Sequence, residues 1–180
     1  TPLANEFTVA SFNMERFFDT VDDPGISDVA LTTTAFNNRL NKASLAIRNV
    51  LNTPDIVGVE EMENLTTLQA VANKINTDAV AASQPNPNYV AYLVEGNDVG
   101  GIDVGFLVKT SIVFGSTPRV TVNAVVQEGN EDGDGDDGVA AALQLDAPAR
   151  EHLGGGLYIA LSVARAFAQG EQLHQLARIV

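Results

Sequence analysis

Two short apolar runs, each followed by polar side chains, constrain the fold of this chain most strongly. Residues 7–12 read Phe-Thr-Val-Ala-Ser-Phe and are followed by Asn13. Residues 56–59 read Ile-Val-Gly-Val and are followed by Glu60 and Glu61. Runs of this length and composition are typical of buried strands. With a helix between them, they predict two parallel strands whose polar ends meet at one edge of a sheet.

The rest of the N-terminal region also alternates between helix and strand patterns. Apolar residues recur at helical spacing over 38–51, and Asn64 is suited to cap a second helix that runs to about Ile75. Two strand patterns, 89–95 and 102–109, flank a Gly/Asn/Asp turn and predict a hairpin. The fold class predicted from this order is α/β.

The composition changes after residue 126. Residues 127–138 form a Gly/Asp-rich acidic tract without apolar periodicity, which predicts a solvated loop. Residues 139–180 carry apolar side chains at near-helical spacing, interrupted by three consecutive glycines. We therefore divide the chain into an N-terminal domain at 1–126, an acidic loop at 127–138 and a helical tail at 139–180.

Bulk properties narrow the class of protein. A chain of 180 residues suits one domain, and no apolar stretch reaches the roughly 18 residues that a membrane span requires. The absence of cysteine excludes disulfides and thiolate chemistry. Ten basic residues against 23 acidic ones, a net charge of -13, make a poor electrostatic footprint for nucleic acid. The acidity favours an extracellular setting.

Three segments carry a family resemblance. They read FTVASFN at 7–13, PDIVGVEEMEN at 54–64 and EGNDVGGIDVGFL at 95–107. In this order they resemble the first part of the endonuclease/exonuclease/phosphatase family, metal-dependent phosphodiesterases with a DNase-I-like fold. The third segment is similar to that of secreted bacterial members. The resemblance implies a partial DNase-I-like α/β sandwich, with a mixed sheet and helices on one face, and an extracellular or cell-envelope location.

The resemblance also implies roles for four residues. Glu61 aligns with the glutamate of the family's Q-E motif, a ligand of Mg²⁺ (or Mn²⁺), and Glu60 takes the neighbouring position in the same metal site. Asn13 aligns with the asparagine that positions the metal ligand and the phosphate, a task that suits an amide with both a donor and an acceptor. Asp103 aligns with an aspartate near the rim of the active site. The alternative for each is an ordinary solvated or turn residue at a strand end.

The acidic tract contains a second candidate metal site. Asn130, Asp132 and Asp134 match the opening of an EF-hand calcium loop. Such a loop requires a glutamate at its twelfth position, where this chain has Ala141. A Ca²⁺ loop and a plain acidic surface loop both remain open at this point.

The second half of the family's active site is missing from the sequence. Neither a G-D-[FM]-N nor an S-D-H segment occurs in residues 111–180. We therefore expect a truncated, frame-shifted or diverged phosphodiesterase that is weakly active or inactive as this chain. The resemblance implies a phosphodiester or nucleic-acid substrate, and an incomplete sandwich would leave a sheet face uncovered for self-association. The alternative function is a non-catalytic acidic interaction module.

Overall fold

The computed structural model describes residues 7–25, 28–96 and 100–110 with their side chains, and residues 121–128, 140–146, 157–162 and 177–178 by their backbone. In chain order the elements are β1 (Thr8–Phe17), α1 (Thr33–Leu45, continued by a π-helical turn, Ala46–Val50), β2 (Ile56–Met62), α2 (Leu65–Ala81), β3 (Tyr89–Leu93), β4 (Asp103–Lys109), β5 (Thr121–Glu128), β6 (Ala140–Asp146), β7 (Leu157–Ser162) and β8 (Ala177–Arg178). A mixed sheet has the order β3-β4-β2-β1-β8, and an antiparallel sheet has the order β5-β6-β7. The α/β class is confirmed.

The predicted strand–helix–strand unit is present. β1 and β2 pair in parallel, with Asn13 opposite Glu60. Both strands run further than predicted, because pairing resumes beyond an irregular segment where Phe17 meets Met62. These two side chains are buried in the core, and their burial holds the strand ends together. The polar residues therefore lie within the paired strands rather than beyond them.

The start of α2 is confirmed and its end is later than predicted. Asn64 has extended backbone angles, and its side chain accepts a 2.8 Å hydrogen bond from the Thr67 amide. This bond satisfies one of the free amides of the first turn. The helix continues past Ile75 to Ala81 because Ala79, one turn beyond Ile75, extends the buried face. None of the helices in the described part is long and apolar enough to cross a membrane.

The helices α1 and α2 pack on one face of the mixed sheet. Their buried side chains form one core cluster with those of the sheet, including Ile47, Leu68, Val57 and Leu107. Gly105 in β4 allows α2 to approach closely. A Cβ atom at that position would lie 2.6 Å from the Leu68 Cδ2 atom. The β3–β4 hairpin that carries Gly105 is antiparallel, as predicted.

A polar cluster joins the two helices. Asp78 accepts hydrogen bonds from Ser44 Oγ at 2.7 Å and from Lys74 Nζ at 2.6 Å, and Arg48 lies 3.9 Å away. Burial raises the pKa of the Asp78 carboxyl, but these hydrogen bonds and positive charges outweigh it and hold the pKa below 3.8. Asp78 therefore stays ionised and links α1 to α2.

The opposite face of the mixed sheet is also buried. Ile56, Val104, Phe106 and Val108 are at most 3% exposed, and strand alternation places them away from the helices. Backbone of β6 approaches β4. Among the described residues these side chains of the face are therefore covered. Self-association through an uncovered sheet face stays a prediction.

The predicted helical tail is wrong wherever the structure describes residues 139–180. β6 and β7 pair as antiparallel strands, and β8 pairs with β1. Short apolar runs such as Leu157–Ser162 fit a helix or a strand equally well by periodicity, and only a long-range partner decides between them. β5 also reaches Glu128, so the acidic loop begins later than residue 127. The three-part division of the chain stays a prediction.

Candidate functional site

Asn13 and Glu61 contact each other where β1 and β2 become irregular. The Asn13 Nδ2 atom donates a 3.0 Å hydrogen bond to Glu61 Oε1. The Arg16 backbone amide donates to the second carboxylate oxygen, Oε2, also at 3.0 Å. Asn13 Oδ1 accepts from the Glu15 amide at 2.7 Å. Each of these oxygens has two lone pairs, so each retains acceptor capacity beyond the bond described.

The backbone around this pair is bulged. The register shifts in β1 after Asn13 and in β2 after Val59. Glu15, Arg16 and Glu61 have φ angles of 55°, 53° and 59°, a left-handed region that is uncommon for residues with a side chain. Bulges of this kind re-aim side chains and concentrate next to active sites. Here they turn the Glu61 carboxylate towards Asn13.

Arg39 stabilises the bulge from outside. Its Nη1 atom donates to the carbonyl oxygens of both Glu15 and Arg16. Its guanidinium also lies 5.8 Å from the centroid of the Phe17 ring, within cation–π range. A side chain from α1 therefore holds the strained segment that presents the Arg16 amide to Glu61.

Glu60 lies beside this pair with a different partner. It is opposite Asn13 in the strand register, and its Oε1 atom accepts a 2.7 Å hydrogen bond from Ser11 Oγ. The side chains of Asn13, Glu60 and Glu61 are all partly buried. The structure thus brings together the three predicted residues at the β1–β2 edge.

The sequence of this chain matches that of a known family over most of its length. Residues 8–136, more than half of the 180, match the sequence model of the Endonuclease/Exonuclease/phosphatase family. The chain belongs to the endonuclease/exonuclease/phosphatase family. Membership places it in a superfamily of nucleases and phosphatases that is typically metal-dependent, which agrees with the resemblance stated above.

Solved structures are also similar to this chain. One of them is the crystal structure of an endonuclease/exonuclease/phosphatase family protein from Bacteroides thetaiotaomicron, at 12% identity and a TM-score of 0.45. The match covers 86% of this chain and 49% of that protein, so this chain spans about half its length. A comparison with curated proteins gives no match.

Asp103 is the fourth residue predicted from the family motifs. It begins β4 opposite Met62, is 4% exposed, and accepts a 2.7 Å hydrogen bond from the Gly96 amide. Glu95 faces it: burial raises the pKa of the Glu95 carboxyl, and the neighbouring Asp103 raises it further. A catalytic role for Asp103 stays a prediction.

A second acidic group, which sequence reasoning missed, includes Glu63, two residues after Glu61. Asp23 and Asp28, from the loop between β1 and α1, meet Glu63, which directly follows β2. The pKa of the Glu63 carboxyl is raised from 4.5 to about 7, mainly by burial. Hydrogen bonds from the Asp19 amide and Thr67 lower this pKa, while the negative charges of Asp19 and Asp23 raise it further. The only sequence signal was Glu63 itself, a carboxylate between a strand and a helix cap, because the two aspartates read as turn residues.

The predicted calcium loop cannot be placed against these sites. Asn130, Asp132 and Asp134 lie outside the described residues. A Ca²⁺-binding acidic tract and the alternative function as an interaction module therefore stay predictions.

Proposed function

We propose that this chain carries the metal-binding part of a phosphodiesterase site. In this proposal Glu61 binds Mg²⁺ (or Mn²⁺), Asn13 orients the Glu61 carboxylate and contacts a phosphate group, and Glu60 lies next to the ion. The observation that carries the proposal is the Asn13–Glu61 hydrogen bond at the bulged part of β1 and β2. Both residues lie in segments that resemble family motifs and within the range that matches the family. The substrate class proposed is a phosphodiester, nucleic acid included.

The donor set fits a hard cation. Mg²⁺ prefers oxygen ligands, commonly one or two carboxylates, and keeps positions for water and substrate phosphate. The Glu61 carboxylate is already oriented by two N–H donors that leave lone pairs on both oxygens. When bound, such an ion stabilises the charge that develops in a displacement at phosphorus. What the chain's own residues supply is the orientation of that carboxylate and an amide for the phosphate.

We propose further that this chain alone hydrolyses phosphodiesters weakly or not at all. Positioning and electrostatic stabilisation act through the whole set of catalytic groups. The sequence lacks the G-D-[FM]-N and S-D-H segments that in the family surround the attacking water and the leaving group. The acidic net charge of -13 also disfavours long polyanionic substrates, and it supports an extracellular or cell-envelope location.

Calorimetric titration with Mg²⁺ and Mn²⁺ tests the metal site. We expect Glu61→Gln, which removes the charge and preserves the shape, to weaken binding by about tenfold or more, since even indirect partners of a metal contribute that much. Glu15→Gln is the matched control, because Glu15 is exposed and next to the site but its side chain forms no part of it. Equal metal affinity of the parent and Glu61→Gln would contradict the proposal.

A hydrolysis assay tests the second part of the proposal. The parent chain is incubated with a chromogenic phosphodiester and Mn²⁺, and its rate is compared with that of Glu61→Gln. We expect a small difference at most. A robust, Glu61-dependent turnover would show that this chain is a complete enzyme and would contradict the proposed inactivity.

A further inference from the structure

Three carboxylates from separate parts of the chain converge beside the end of β2. One oxygen each of Asp23, Asp28 and Glu63 lie within 4.8 Å of one another. Glu63 is 2% exposed, while the two aspartates are partly buried. Three negative charges at this spacing repel one another strongly away from bulk water, so the arrangement requires compensation.

Two carboxylate oxygens of these residues are buried and have no hydrogen-bond partner among the residues that the structure describes. They are Glu63 Oε1 and Asp28 Oδ1. The second oxygen of each carboxylate is used: Glu63 Oε2 accepts from the Asp19 amide at 2.6 Å and from Thr67 Oγ1 at 3.1 Å, and Asp28 Oδ2 accepts from the Asp23 amide at 3.0 Å. Each of these two carboxylates is thus held in place through one oxygen, while its second oxygen stays available to a ligand. Buried polar atoms without partners are rare, and a bound ion or an ordered water is one common explanation for them.

No basic side chain neutralises the group in the described ranges 7–25, 28–96 and 100–110. The ion pairs there are those of Asp78 with Lys74 and Arg48, and of Asp55 with Lys109. The compensating charge must come either from protons or from a bound cation.

We propose that Asp23, Asp28 and Glu63 form a Ca²⁺ site, distinct from the Asn13–Glu61 pair. The three oxygens lie within 4.8 Å of one another, so one cation can contact all of them. The longer bonds of Ca²⁺, about 2.3–2.6 Å against about 2.0–2.1 Å for Mg²⁺, span such a group more readily. Ca²⁺ also tolerates irregular loop ligands and gives up its water more readily than Mg²⁺.

The site would connect the loop after β1 to the junction of β2 and α2. The backbone already closes this region, because the Leu31 amide donates to the Asp19 carbonyl at 2.7 Å and the Glu63 amide donates to the Phe17 carbonyl at 3.2 Å. An ion bound there adds a third connection, two residues from Glu61. The proposed Ca²⁺ would thus hold the loop after β1 against the end of β2, without taking part in the proposed phosphodiesterase site.

Calcium titration of matched variants tests the site. All proteins carry Asp132→Asn and Asp134→Asn, so that Ca²⁺ binding by the acidic tract does not contribute to the measured affinity. We expect one Ca²⁺ to bind within the range up to about 10 mM, which includes the weak sites of extracellular modules. Asp28→Asn and Glu63→Gln should each weaken it about tenfold or more, while Asp22→Asn, an exposed neighbour in the same loop, should change it less than twofold.

A second measurement separates this site from the proposed phosphodiesterase site. Ca²⁺ should raise the urea midpoint of the parent, because it binds the folded state, and should have little effect on Asp28→Asn. Glu61→Gln should retain full Ca²⁺ affinity. The proposal is overturned if the parent does not bind Ca²⁺, or if Asp28 is needed for Mg²⁺ binding and not for Ca²⁺ binding. Equal Ca²⁺ affinity in Asp28→Asn and the parent, or loss of Ca²⁺ binding in Glu61→Gln, also overturns it. Asp28→Asn keeps the test decisive if Glu63→Gln does not fold.

Discussion

Replacing Gly105 by alanine should destabilise the protein because α2 lies directly against this position. The new Cβ atom would be 2.6 Å from Leu68 Cδ2 and 2.9 Å from the Tyr92 carbonyl oxygen, well inside van der Waals contact. Leu68 is fully buried and packed, so its side chain has little room to withdraw. Overpacking of this kind costs about 1–3 kcal/mol. Alanine recovers about 0.5–1 kcal/mol of that cost, because glycine is unfavourable within a strand. Subtracting the two ranges leaves a net loss of up to about 2.5 kcal/mol.

Urea unfolding of a double-mutant cycle tests this reasoning. Leu68→Ala alone should cost about 2–5 kcal/mol through the cavity it leaves. In Gly105→Ala/Leu68→Ala the shortest contact is gone, so the combined loss should be smaller than the sum by about 1 kcal/mol. Gly25→Ala is the control: its Cβ meets nothing within 4 Å and its cost arises from a φ of +99°, so its effect should add to that of Leu68→Ala. Additive losses for Gly105→Ala and Leu68→Ala would refute the close packing of α2.

Two further predictions concern the helices. Asn64→Ala should lower the free energy of unfolding by about 0.5–2 kcal/mol, because the Thr67 amide loses its acceptor at the start of α2, and Asn64→Asp should restore most of it in the same urea assay. Asp78→Asn should cost about 1 kcal/mol at neutral pH, where the ionised carboxyl bonds Lys74 and Ser44. Because the pKa of Asp78 is lowered in the folded state, that advantage is present above pH 3.8 and is lost as the pH falls through the folded pKa. A difference between parent and variant that does not shrink below pH 3.8 would contradict this assignment.

The local elements were predictable because their signals are local. The helix α2 begins where Asn64 caps it, since the hydrogen bond to Thr67 spans only three residues. The β3–β4 hairpin follows from two strand runs and the turn between them. The apolar face of a helix and the alternation of a strand are likewise written in neighbouring residues. Hence the sequence predicted most of the first 110 residues, with errors mainly at element ends.

The C-terminal strands were not predictable for the complementary reason. A strand's backbone hydrogen bonds go to another segment, so β6, β7 and β8 depend on partners that periodicity does not reveal. The same apolar runs satisfy a helical pattern in isolation. The prediction of a helical tail failed at this point.

The candidate sites divide along the same line. By itself the sequence predicted that Asn13 and Glu61 belong to two neighbouring parallel strands and to recognisable motifs, because a strand–helix–strand unit places its two strands in parallel. Only the tertiary structure decided that bulges and left-handed backbone turn Glu61 onto Asn13. Only the tertiary structure, too, brought Asp23 and Asp28 against Glu63. Residues far apart in the chain meet only when the core and the register are formed, and no local pattern encodes that distance.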